Sequence, residues 1–453
     1  MVLINTHIKF VLLFCFFVLI NTNNIFGNTS EVSLERKDNV LTFSNLRNVN
    51  STISEDDYLN FIRTNIIKQP EYLFAISGVD EKNMSLKFAN RLRWPDLSFQ
   101  VINDESIDRD VEDIQSIRKR RDDSFDASIE LSQPIYTGGS INARVGIARN
   151  EFSISKVLRE EALSNQILRA NEVYLAAVTS DLLYNYGRNI LNEVKPYLEK
   201  VKERVSIGIS DPIQLAIFSI KYNDLESKIQ ILRTNRNRDV GVYEYFFNTK
   251  FENTYLPEVN VPYVNYNKSS NAYSVENSIL SHKAQKEETK LTRSEYLPQF
   301  GFRARYTQYD LDEDENDTDI RGGIYFSFPV FTFGRASARI SSSKAKEKAS
   351  QFMIDVERKN DDVLETEIVN IMDSSHNTRI EIFKSFNDTR QQRKIIRDRI
   401  EITEFSPTNL IESGIEELNQ LQRLLTTETT LLQGYMLYLH QNRGLTSFVR
   451  IQS

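Results

Sequence analysis

The sequence predicts an α+β chain built as two tandem repeats, each a pair of short strands followed by a very long helical hairpin. Three observations predict it. A punctuated segment recurs at a fixed offset, strand-like alternation leads into both copies, and long stretches nearly free of Gly and Pro follow them. Period-2 alternation places residues on two faces of a strand, whereas steps of 3 and 4 mark a helix.

The repeat is the strongest of the three. Ser132-Gln133-Pro134-Ile135-Tyr136-Thr137-Gly138-Gly139 recurs as Ser327-Phe328-Pro329-Val330-Phe331-Thr332-Phe333-Gly334, an offset of 195 residues. Ala143, Arg144, Pro212 and Leu215 recur as Ala338, Arg339, Pro407 and Leu410 in that same register. Upstream, Trp94-Pro95 matches Leu297-Pro298 at offset 203, so the segment between the two prolines is eight residues longer in the first copy. Such length differences belong to loops.

At the amino terminus, Lys9 precedes the eleven-residue apolar run Phe10 to Ile20. That run is too short to span a bilayer, which needs about 20 helical residues, and it fits a secretory signal ending near Gly27. Cys15, the one cysteine, lies inside it. Leu13 and Phe14 are too large for a lipobox. Residues 55–93 and 271–296 follow helical patterns, each closing on a Pro and a strand. Leu97, Phe99 and Val101 alternate with Ser98 and Gln100, and Phe300, Phe302, Ala304 and Tyr306 with Gly301, Arg303 and Arg305. After polar loops, Phe125, Ala127, Ile129 and Leu131 and then Ile324, Phe326 and Phe328 repeat the alternation. Lipid-facing barrel strands require this pattern; a half-buried soluble hairpin has it too.

The helical stretches come next. Between Gly139 and Gly208 the only Pro is Pro196, and the apolar steps Leu191, Val194, Leu198, Val201 and Val205 read as coiled-coil packing. Nearly 70 residues at 1.5 Å each would reach about 100 Å. Ser210-Asp211-Pro212 reads as an N-cap with Pro at the first helical position, opening a return helix to about Phe247. Residues 335–403 go out again, Ser406-Pro407 caps the second return, and the last helix ends near Gly444. The boundaries are a signal peptide at 1–27, repeat one at 28–248, an irregular connector at 249–270, repeat two at 271–448 and a tail at 449–453.

Composition excludes several classes. With 63 acidic and 56 basic residues and a net charge of −7, general nucleic-acid binding is not expected. His282, His376 and His440 lie far apart with no His four residues on, so their spacing makes no metal site. The acidic run Asp310, Asp312, Asp314, Asn316 fails a calcium loop, because its sixth and twelfth positions are Glu315 and Arg321. Arg118-Lys119-Arg120-Arg121 sits in the other strand-joining loop beside Asp122 and Asp123. Without a nucleophile elbow, a phosphate loop or paired catalytic carboxylates, the chain reads as no enzyme and as needing no cofactor.

The strand-ending PIYTGG and PVFTFG, the Trp-Pro and Leu-Pro before the first strands and the Asp211-Pro212 reversal together resemble the TolC-type outer-membrane efflux family, also called outer-membrane factors. The resemblance runs from about Glu55 to Phe448. It implies a homotrimer whose protomers each give four strands to one 12-stranded β-barrel, continued by a long α-helical coiled-coil barrel in the periplasm. It further implies an exit duct in the outer membrane for a tripartite efflux or type I secretion system, working with a periplasmic adaptor (a membrane fusion protein) and an inner-membrane transporter. The alternative expectation is a periplasmic coiled-coil adaptor or structural protein without a barrel. In the family the second reversal carries a Gly-containing turn and acidic residues that narrow the periplasmic entrance. Here that turn, Glu404 to Asn409, has no Gly, and Asn409 and Glu412 take the two acidic places. Glu412, Asp211 and Asn409 are therefore the candidate constriction residues.

Overall fold

The computed structural model describes residues 40–105, 123–252, 254–264, 272–309, 311, 317–400 and 407–451. The signal segment 1–27 with Cys15, the Arg118–Arg121 cluster, the run Asp310, Asp312, Asp314 and Asn316, and the turn around Phe405 lie outside them. After β1 (Val40–Leu41), a single 3-10 turn (Ser44–Leu46) and β2 (Thr52–Ser54) come the helices α1 (Glu55–Ile66) and α2 (Pro70–Arg91). The one polar helix expected over 55–93 is thus two, divided before Pro70. Ser54 caps α1 by accepting from Asp57 N–H at 3.3 Å, and Pro70 opens α2 because it has no N–H to leave unpaired.

Next come β3 (Asp96–Glu105), β4 (Asp123–Tyr136), α3 (Ser140–Ser206) and α4 (Pro212–Phe247). Two short strands, β5 (Leu256–Glu258) and β6 (Asn260–Val261), lead to α5 (Tyr273–Ser294), β7 (Gln299–Gln308), β8 (Thr318–Ser327), α6 (Arg335–Ile400), α7 (Pro407–Gln441) and α8 (Leu445–Phe448). The 67 residues of α3 run on through Pro196.

Segment 249–270 is not irregular throughout. β6 pairs antiparallel with β1, and β5 pairs parallel with β2, so the middle of the chain ties down its amino-terminal part. Strands of two or three residues carry no readable period, which is why alternation did not reveal them.

The other four strands form one antiparallel sheet in the order β3-β4-β7-β8. The helices attached to them contact one another in the matching order α2, α3, α5, α6. Each strand thus continues a helix of a wall one element thick. Farther along, α4 packs on α3, and α7 packs on α6 and α3. Two apolar clusters hold these hairpins: Tyr58, Ile62, Tyr174, Tyr243, Phe247, Leu421 and Met436 belong to one; Ile190, Val194, Phe218, Leu225, Leu410 and Leu418 to the other. Among the described residues, no helix is long and apolar enough to cross a membrane.

Candidate functional site

The sheet register sorts side chains into two unlike faces. On one, Phe99, Ile129, Tyr306 and Ile320 form a row across all four strands, and Leu97, Leu131 and Ala304 form the row beside it. Phe302 and Ile324, then Tyr136, Phe300 and Phe326, extend this face towards the helices. Apolar side chains here lie open to the surroundings: Phe99 is 68% and Ile324 77% exposed. The opposite face carries the row Ser98, Glu130, Arg305 and Arg321, followed by Asp96, Ser132 and Arg303. Glu130 takes hydrogen bonds from Arg305 and an ion pair from Arg303 at 3.1 Å, and Arg321 pairs with Asp319 at 2.5 Å. Gly301 permits Tyr325 to lie across this polar face, since a Cβ there would meet Tyr325 Oη at 2.5 Å.

An apolar face and a charged face on one ten-residue-deep sheet suit a wall between lipid and water. The outer strands β3 and β8 each have one unpaired edge within the chain. Trp94, Val330, Phe331 and Phe333 are strongly exposed where strands give way to helices, the level at which aromatic girdles flank a membrane band.

At the far ends of the helices stand the candidate constriction residues. Asp211 caps α4: its Oδ1 accepts from Ile213 N–H at 2.8 Å, with Pro212 next in the helix. Gly208, at φ +74°, makes the tight turn that precedes it. Glu412 pairs with Lys221 of α4 at 3.3 Å. Asn409 and Glu412 share an open groove between α6 and α7, lined also by Gln391, Arg399 and Glu416. Asn409 and Glu412 therefore come together, while Asp211 serves the cap of the other hairpin.

Sequence reasoning missed Lys221 and a cluster roughly 20 Å behind the tip. There Arg393 of α6 reaches Glu193 of α3 at 2.8 Å and also Glu417 of α7, which Tyr186 of α3 hydrogen-bonds. Burial pushes the Tyr186 phenol well up. The signal available was weak, since charged residues on long helices usually face water. The three histidines of the helices have separate structural partners. His282 bonds Ser350 at 2.9 Å, His440 bonds Ser164 at 2.8 Å, and His376 stacks on Tyr263 with centroids 4.1 Å apart. Among the described residues, no group of three or more His, Cys, Asp or Glu could hold a metal ion.

Solved structures share this architecture. The CmeC outer membrane channel of Campylobacter jejuni matches with TM-score 0.72 and 14% identity, over 94% of this chain and 94% of that one. The chain has the fold of this outer membrane channel. The outer membrane protein VceC of Vibrio cholerae matches with TM-score 0.70 and 12% identity, over 86% of this chain and 96% of that one. The MtrE outer membrane channel of Neisseria gonorrhoeae, in its open state, matches with TM-score 0.67 and 12% identity, over 94% and 98%. No family model matches the sequence, and no curated protein matches it.

Proposed function

We propose that the chain is a passive channel of the outer membrane, the exit duct of a tripartite efflux or type I secretion assembly, with its helical part in the periplasm. The observation that carries this reading is the two-faced sheet with both edges open. Unpaired strand edges are not tolerated in hydrocarbon, so a spanning sheet must close on itself. Four strands cannot do so within one chain, whereas three copies make a barrel of 12. Exposed Leu73, Phe74 and Phe88 on α2 and Phe352, Val356 and Val363 on α6 flank the two edges of the wall and would meet between protomers beneath that barrel. The folds of the outer membrane channels CmeC and MtrE and of the outer membrane protein VceC support the same reading.

On this reading residues 1–27 export the chain, and 28–248 and 271–448 are duplicated halves joined by 249–270. The charged sheet face lines the water path. The helical tips face the partners, a periplasmic adaptor and through it an inner-membrane transporter. Ile207, Ile209 and Ile213, all exposed around the first tip, give an adaptor an apolar surface to grip. Glu412, Asp211 and Asn409 are assigned to the entrance. Transport energy comes from the transporter, and the duct catalyses nothing.

Cross-linking the detergent-solubilised protein from the outer-membrane fraction tests this. A trimer is expected. A monomer that keeps its full strand content in detergent overturns barrel closure between subunits.

A further inference from the structure

Between α5 and α6, just beneath the sheet, lies an open groove of about 340 Å³. Lys286, Lys290 and Arg293 line it from α5, Lys344 and Lys348 from α6, with Glu347 the one acid on its wall. Lys290 is partly neutralised by Glu287 at 2.6 Å. Lys286, Arg293, Lys344 and Lys348 have no ion pair among the described residues. The corresponding groove between α2 and α3 differs, because Lys82 there pairs with Glu81 and Glu151.

Handedness decides which side of the wall the groove opens to. Tyr309 N–H donates to Asp317 O at 2.9 Å, in line with the β7–β8 register. Odd-numbered residues of β7 therefore turn their backbone N–H and C=O to β8, and the even-numbered, apolar-face residues turn theirs to β4. In a strand of L-residues running upward with a side chain towards the viewer, these groups point to the viewer's right. Seen from the apolar face with β7 running up, β4 and α3 thus stand on the right, β8 and α6 on the left. Helix α5 meets α6 through His282 and Thr289, which bond Ser350 and Ser343, and its Glu287 lies against Gly146 of α3. A right-handed helix with those two seams brings Lys286, Lys290 and Arg293 to the viewer's side. Lys344 and Lys348, on the descending α6, come to the same side. The cationic groove opens on the face that carries the exposed apolar side chains of the sheet.

Depth fits as well. It does so at the end of the groove next to the sheet: Arg293 stands in the last turn of α5, which ends at Ser294, four residues before β7 begins, while Lys286 lies about 10 Å farther down the helix and marks the far end. Headgroups occupy roughly 5–8 Å beyond the hydrocarbon edge, and a surface charge is felt over about another 8 Å at physiological salt. We infer that this groove binds the phosphate headgroup of an anionic phospholipid in the periplasmic leaflet of the outer membrane, anchoring the wall beneath its strands. This inference rests on the membrane reading above.

The test uses full-length protein purified from outer membranes, with native mass spectrometry counting adducts of added phosphatidylglycerol or phosphatidylethanolamine. Phosphatidylglycerol is expected to be retained over phosphatidylethanolamine, less so as salt rises. Arg293→Gln and Lys344→Gln together, the two cations without an ion pair nearest the sheet, should weaken its retention at least about tenfold, while the charge-keeping changes Arg293→Lys and Lys344→Arg keep it. Both variants should be recovered in the outer membrane like wild type. Loss of wild-type protein from that fraction would instead count against the membrane reading. Equal retention of the two lipids, unchanged retention in the Gln variant, or full displacement of the lipid by millimolar inorganic phosphate overturns the proposal.

Discussion

Arg379 and Glu428 form an ion pair 2.5 Å long between α6 and α7, with side chains 8% and 0% exposed. The pair also holds the amino-terminal segment. Phe43 N–H donates to Glu428 Oε2 at 3.0 Å, and Arg379 donates to Leu41 O at 2.8 Å. Burial pushes the Glu428 carboxyl up, while Arg379 and the Phe43 N–H pull it back towards the ionised form. Arg379→Met should leave that carboxylate buried without a counter-charge, at a cost of about 3–5 kcal/mol. The double change Arg379→Met with Glu428→Met should recover most of the loss, because two apolar side chains need no compensation. Thermal unfolding in detergent measures both, and a double variant as unstable as the single one would refute the pairing argument. Neither residue was legible as special in the sequence. They stand 49 positions apart on helices crowded with charge, and only the packing of α7 on α6, with residues 40–46 docked over both, makes them a unit. Lys221 escaped notice for the same reason: its partner Glu412 lies on a different hairpin.

At the level of elements, period and punctuation revealed far more. The four long strands were legible because alternation over about ten residues is a signal of its own, and α3 was legible because so little interrupts it. Pairing was not legible. Nothing in β4 or β7 declares that they are neighbours, and their register follows only once α3 and α5 pack side by side. The turn PIYTGG shows how a motif becomes geometry. Gly138 has φ +61°, and a Cβ there would stand 2.8 Å from both Leu297 Cβ and Ser294 O. Gly138→Ala therefore combines left-handed strain with overpacking, each worth about 1–2 kcal/mol. A fall of several degrees in the melting temperature is expected, and an unchanged value would mean that the turn relaxes freely. In PVFTFG the matching place is Phe333, itself left-handed at φ 49° and strongly exposed. Its ring meets Phe331 edge-on at 4.5 Å beside the sheet. A bulky aromatic thus holds a left-handed place that a glycine would take without steric cost.

For the whole molecule, length sets the helical tips far from the sheet, where the proposed entrance would lie. Helices of 67 and 66 residues carry the reversals about 100 Å from the strands if they run straight. In the trimer proposed above, each tip carboxylate would occur three times around the axis, and carboxylates ringing a narrow opening favour cations. The structure adds a balance to that ring, because Lys221 lies 3.3 Å from Glu412 and offsets part of its field. Conductance in planar bilayers, with block by a trivalent cation as the readout, should respond in opposite directions. Glu412→Gln weakens the block, and Lys221→Gln strengthens it by leaving the carboxylate unpaired. Asp211→Asn has a smaller effect, since one oxygen of Asp211 already accepts from the Ile213 N–H. All three variants should still assemble as trimers, because each side chain sits at a solvent-exposed tip outside the two apolar clusters. If block is unchanged in all three while the trimer persists, the constriction lies away from these carboxylates. The balance between Glu412 and Lys221 would then be only a strut joining α7 to α4.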